Sequence, residues 1–223
     1  MTTALSQPGA ILSGHSAGVD WVTLTGKRGM ADVSRTVRAI AVEAPMPRTD
    51  AYYETSEYFP GSGIHLKRHN VSNRDAWLVS IPGSACGLLG DRLRRVVSDL
   101  VEMGEAQFSR IDCAVDFTAD NGSRLLETLG RLAVQRRFGR GGTNTQSDSG
   151  HTVYIGRRNS DTFVRCYDKG AETGGEAGKW IRWEAEFKHK RARELTKYFL
   201  RSDDWTKLSF DLAAAAVPSL VKV

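Results

Sequence analysis

No apolar run in the sequence approaches the ~20 residues that span a bilayer, so no membrane partner is expected. Residues 1–10 lack the charged start and apolar stretch of a secretory signal, which points to a cytoplasmic protein. Cysteine is scarce. Cys86, Cys113 and Cys166 are scattered without CxxC spacing and read as buried, reduced thiols of a cytosolic protein. The five histidines form no HExxH or HxH pair, which excludes the usual zinc hydrolase and two-histidine metal sites. No GxxxxGK[ST] loop is present, so NTP hydrolysis is not expected; the glycines at 139–142 lack the required lysine and its strand–helix setting. No internal repeat and no clear domain boundary is visible.

What remains is a chain of 223 residues, 40% of them apolar, enough for one good core. Residues 1–17 are small and polar and read as a flexible lead-in; 18–223 read as a single domain. The charge is uneven. Residues 131–201 hold 16 of the 31 Lys+Arg and only 8 of the 26 Asp+Glu, so the remainder is slightly acidic. A local positive excess suits a polyanion such as nucleic acid.

Periodicity predicts strands at 20–25, 64–68, 76–81, 110–117, 151–156, 162–169 and 180–188, and helices at 35–42, 88–103, 124–134 (capped by Ser123), 189–200 and 211–217. Residues 48–63 read as turn-rich, 136–150 as flexible and basic, and 70–75 as a hairpin turn. Hairpins imply antiparallel pairing. The expected fold is therefore α+β, a largely antiparallel β-sheet with helices packed on one face and the active site on the sheet's open face.

Three polar-faced segments stand out. In a strand, residues i and i+2 share a face. Arg110, Asp112, Ala114 and Asp116 thus oppose Ile111, Cys113 and Val115; Arg182, Glu184, Glu186 and Lys188 oppose Trp183, Ala185 and Phe187; Arg165, Tyr167 and Lys169 oppose Val164 and Cys166. Salt bridges to Arg110, Arg182 and Lys188 could neutralise any single acid. As a group, Asp112, Asp116, Glu184 and Glu186 favour Mg²⁺ or Mn²⁺, which prefer oxygen ligands. Asp112 and Asp116 lie roughly 13 Å apart by strand rise, so Asp112 with Glu184 or Glu186 is the better pair. Tyr167 has Arg165 and Lys169 on its own face, and adjacent cations would favour its phenolate. Tyr154 is the rival nucleophile and Tyr198 a third. Arg165, Lys169 and Arg182 could position phosphate. Arg136, Arg137, Arg140, Arg157, Arg158, Lys188, Lys190 and Arg191 could track a DNA backbone, and Phe138 could stack an unpaired base.

Four pieces together resemble the replication initiation factor (Rep_trans) family of rolling-circle plasmid and phage initiators and related conjugative relaxases. They are Ser109–Asp116, Thr152–Ser160, Arg165–Lys169, and Trp180–Glu184 with Lys188–Ala192, in the family's order. Residues 1–108 match loosely, mainly through 20–25. The resemblance implies a metal-dependent strand transferase of a bacterial host's cytoplasm. A tyrosine (Tyr167, with Tyr154 as alternative) would attack an origin phosphodiester, become linked to the 5′ phosphate and release a 3′-OH that primes synthesis. Asp112, Asp116 and Glu184 carry to the metal site. The DNA would be a single-stranded or hairpin origin; a host helicase and a second copy of the chain are the other partners implied. Many members are longer at the C-terminus, and this chain ends about 30 residues after its last motif, so a further DNA-recognition segment is expected to be missing. Two other readings remain open: a non-catalytic DNA-binding replication or regulatory protein, and a metal-dependent nuclease that uses water.

Overall fold

The computed structural model describes residues 12–41, 43–69, 75–135, 142–147 and 150–216. The chain opens with β1 (Leu12–Gly26), α1 (Met30–Ala41), β2 (Met46–Pro47), β3 (Tyr53–Phe59), β4 (Ile64–His69), β5 (Trp77–Pro82), α2 (Gly83–Leu89) and α3 (Arg92–Gly104). It continues with β6 (Gln107–Ala119), α4 (Gly122–Val134), β7 (Gly142–Ser147), β8 (Gly150–Ile155), β9 (Thr162–Asp168) and α5 (Lys169–Glu172). It closes with β10 (Trp180–Lys188), α6 (His189–Arg201) and α7 (Trp205–Ala215). This is the expected α+β class with antiparallel pairing. Two compact units form. The first is drawn from Gly18–Cys113 and Glu186–Ser209, the second from Met1–Ala17, Ala114–Ala185 and Phe210–Val223.

In the first unit the strand order is β2-β3-β4-β5-β1, with β6 next to β1. Register follows the alternation of the sequence. Val22 pairs with Ile81 and Leu24 with Val79 on the face covered by helices, while Thr23 pairs with Ser80 on the other. Helix α1 buries Val33, Val37 and Ala41, spaced by four, against β4 and α3. Helix α3 buries Leu93, Val96, Val97 and Leu100 at helical spacing. Fully burying each such side chain is worth about 1.5–3 kcal/mol. Phe199 of α6 meets Phe108 edge-on at 5.7 Å, and the Thr196 hydroxyl accepts the Phe108 N–H at 2.9 Å.

Three expectations change here. The helix read as 88–103 is two helices, because Gly90 takes φ +49° and its N–H closes α2 on the Cys86 carbonyl at 3.0 Å. Glycine makes that left-handed break inexpensive. Residues 53–59, read as turn, form β3: a register shift between Tyr53 and Thr55 interrupts the alternation that would have revealed the strand. Strand β1 reaches back to Leu12, so part of the segment read as a loose lead-in is strand. The turn expected at 70–75 lies almost wholly outside the described residues.

In the second unit the order is β6-β10-β9-β8-β7. Ala119 donates its N–H to the Lys179 carbonyl at 3.0 Å beside the start of β10. Helix α4 packs on β7, β8 and β9. Its cap is Asn121, not Ser123: the Asn121 side chain accepts the Arg124 N–H at 3.3 Å. Residues 142–147, read as flexible, form the edge strand β7 paired to β8. Their Thr, Asn, Gln and Ser side chains carry no apolar alternation because almost all of them face solvent.

Candidate functional site

The second unit carries most of the expected chemistry. On β8 and β9, Tyr154 lies opposite Arg165 and Thr152 opposite Tyr167. Period-two alternation therefore places Tyr154, Arg165 and Tyr167 on one face. Tyr167 is 8% exposed, whereas Tyr154 is half-buried, its ring stacked on Phe163 at 5.8 Å. Arg165 ion-pairs with Glu184, which is fully buried. Among the described residues, the Glu184 Oε2 has no hydrogen-bond partner. Arg182 holds Asp116 through two bonds of 2.8 Å, Nε to Oδ1 and the terminal nitrogen to Oδ2.

The cations beside Tyr167 act differently from the expectation. Arg165 and Lys169 each lie 5.7 Å from the centroid of the Tyr167 ring, while their charges are paired with Glu184 and Glu172. Burial, followed by the charge of Glu184, pushes the Tyr167 phenol above its ordinary range; Arg182 and Arg165 oppose this less strongly. As folded, the site therefore keeps Tyr167 protonated rather than presenting a phenolate.

Sequence reasoning missed two residues here. Trp180 donates its indole N–H to Asp116 Oδ1 at 2.9 Å; its place two residues before Arg182 on the same strand face was the available signal. Asp168, buried, accepts N–H groups from Ala171 at 2.9 Å and Gly178 at 2.7 Å. It thereby ties the loop after Tyr167 back to the end of β9. Nothing in the spacing marked that role, since Gly178 is ten residues away.

The first unit holds the other acids. Asp112 is fully buried beneath Arg110, whose Nε donates to Oδ1 at 2.8 Å. The same guanidinium reaches Glu186 at 2.9 Å, and Lys188 takes the other Glu186 oxygen at 2.5 Å. Arg110 also lies 4.8 Å from the Trp21 ring. These are the salt bridges weighed against a metal, and they involve Asp112, Asp116 and Glu186 alike. Among the described residues no three His, Cys, Asp or Glu side chains form a ready-made metal cluster. Of the four acids, Glu184 keeps a buried oxygen with no donor among the described residues, the kind of oxygen that a hard cation takes up.

Of the residues expected to track DNA, Arg157 and Arg158 are exposed on the turn between β8 and β9, which Ser160 closes on the Arg157 carbonyl at 2.6 Å. Lys190 and Arg191 are exposed on α6. Arg136, Arg137, Phe138 and Arg140 lie outside the described residues. Tyr198 is 62% exposed on α6, in the first unit.

The family model described as "replication initiation factor" matches residues 106–220. Among solved structures, the fold is similar to the rolling circle replication initiator protein from Geobacillus stearothermophilus. That likeness has a TM-score of 0.66 and 18% identity, covering 94% of this chain and 99% of the other. A second solved structure, the regulatory subunit of aspartate kinase from Thermus flavus, reaches a TM-score of 0.21 at 11% identity over 89% of this chain and 98% of its own, too low to carry an argument. No curated protein matches.

Proposed function

The chain belongs to the replication initiation factor family, and on that basis we propose that it starts rolling-circle replication by nicking and rejoining DNA through a tyrosine. The observation that carries the reading is Glu184. It is fully buried, one of its oxygens has no partner among the described residues, and its charge acts on the Tyr167 phenol. Buried polar oxygens are nearly always hydrogen-bonded, so this one calls for a partner beyond Arg165.

Tyr167 is the proposed nucleophile. Its oxygen bonds to phosphorus as the bond from phosphorus to the 3′ oxygen breaks, leaving a 5′-phosphotyrosine. The phenol proton passes to solvent water, and the 3′ oxygen takes one from water to become the 3′-OH that primes synthesis. Rejoining is the reverse transfer. Glu184 Oε2 would hold Mg²⁺ or Mn²⁺, which when bound supplies Lewis-acid polarisation of the phosphate. Arg182 and Arg165 place positive charge on the same face to receive the phosphate oxygens. Arg157, Arg158, Lys188, Lys190 and Arg191 contribute backbone contacts that weaken with salt.

Incubation with origin DNA and Mn²⁺, followed by a denaturing protein gel, is the test. A covalent adduct is expected from the wild type and from Tyr154→Phe, and none from Tyr167→Phe or after chelation. An adduct that survives in Tyr167→Phe and vanishes in Tyr154→Phe moves the nucleophile to Tyr154. A second reading, a non-catalytic DNA-binding replication protein, draws on the ion pairs that occupy Asp112, Asp116 and Glu186. It predicts binding indifferent to chelator and no adduct.

A further inference from the structure

In the first unit two cavities adjoin at Gln107, which lines both. One, of about 470 Å³, is a trough along α6 lined by Lys190, Arg191, Arg193, Lys197 and Tyr198, with Glu194 as its acid. Glu194 pairs with Lys190 at 3.9 Å and Arg191 at 3.4 Å; among the described residues Arg193 and Lys197 have no acidic partner. The other, of about 220 Å³, is walled by Tyr53, His69 and Leu78, with Thr25 and Lys27 at its rim. Tyr53 meets His69 edge-on, ring centroids 5.4 Å apart. Lys67 lies 4.8 Å from the same Tyr53 ring. Glu105, the acid of this cleft, is paired with Arg28 at 2.9 Å. The trough is thus positive and polar, and the cleft is aromatic with hydrogen-bonding groups at its edge.

We infer that this path is a second binding site for single-stranded DNA, in which α6 follows the phosphates and one unpaired base inserts into the Tyr53–His69 cleft. The cleft is large enough for a single base and too small for a base pair. An aromatic wall accepts any base because every base has a π-face, while cations without acidic partners hold the backbone. Gln107, exposed between the two, is the side chain that can reach a base edge as it turns inward. The inference rests on the reading that the chain acts on DNA, but involves neither tyrosine of the nicking chemistry.

Fluorescence anisotropy with the full chain, a labelled oligothymidylate and a duplex of equal length tests it. Tyr53→Leu is expected to weaken single-strand binding about ten-fold, with duplex binding unchanged. His69→Ala, at an exposed position at the end of β4, should act in the same direction and, like Tyr53→Leu, is checked for folding by circular dichroism. Replacing Arg193 and Lys197 by alanine should weaken both substrates and flatten the salt dependence. A selective single-strand loss in Tyr53→Leu or His69→Ala supports the site; if Tyr53→Leu fails to fold by circular dichroism, His69→Ala alone decides. Equal losses on both substrates, no loss in either variant, or no single-strand binding by the wild type overturns it. If the adduct forms and these variants bind normally, this site alone falls. If no adduct forms and the selective loss persists, the nicking reading falls and the site stands.

Discussion

Arg182 grips Asp116 with both arms of its guanidinium, at 2.8 Å on each carboxylate oxygen, and Trp180 adds a third donor at 2.9 Å. An acid that the strand pattern offers as a metal ligand is thus already neutralised in the fold. The cation comes from the same strand face, two residues from the tryptophan that completes the clamp. Glu184 differs: its Arg165 partner leaves one oxygen unclaimed.

That pair is sensitive to one-sided removal. Arg165→Met strands a fully buried carboxylate, and breaking such a pair costs about 3–5 kcal/mol, at the lower end here because Arg165 is partly exposed. The double variant Arg165→Met with Glu184→Gln should recover much of the loss. Urea unfolding of the two variants checks this; equal instability in both would mean the charge is not what is being stranded.

Asp168→Ala removes both acceptors that tie the loop after Tyr167. With the N–H groups of Ala171 and Gly178 left unpaired, a loss of about 2–3 kcal/mol is expected. Hydrogen exchange at those two amides should rise more than in α4. Unchanged protection would show that the loop is held by other contacts.

Gly104→Ala is expected to be as damaging as a cavity mutation although it adds a single methyl. The new Cβ would fall inside the van der Waals surface of the Trp77 indole, which is buried and donates to the Arg28 carbonyl at 2.7 Å. Overpacking of this kind costs roughly 1–3 kcal/mol. A thermal melt gives the direction, and near-ultraviolet dichroism reports the displaced tryptophan.

His65 sets an acid-side limit on the first unit. Burial first, then Lys67 and Arg48, hold its pKa below the ordinary 6.5. The unfolded chain therefore binds the proton more readily, and stability falls as the pH drops from about 6.5 towards the folded value, below which the penalty is complete. His65→Gln should flatten the melting temperature between about pH 7 and pH 5. An unaltered slope would assign the acid sensitivity to other groups.

Much of this was legible beforehand. Alternation in 110–116, 165–168 and 182–188 placed the polar face and the strands that carry it, because each strand sets apolar side chains on one face and charged ones on the other. Strand β7 gave no such signal, since it lies at an edge and buries almost nothing, and β3 lost its signal to a register shift. At the site, alternation tells which side chains share a face but not which partner each chooses. It could not show that Arg165 and Lys169 would pair with Glu184 and Glu172 beside the Tyr167 ring, or that Asp168 would reach Gly178 across a loop.

Neither compact unit is one continuous stretch of chain: one is assembled from two segments and the other from three, and β6 and β10 each divide between them. No single cut can therefore release either unit intact, and a truncation meant to isolate the chemistry would unravel a strand shared with its neighbour. Pairing that joins such distant segments closes long loops late, so ribosomal synthesis must be nearly finished before either unit can settle. Partial folding is a weak option for this chain; it commits as a whole.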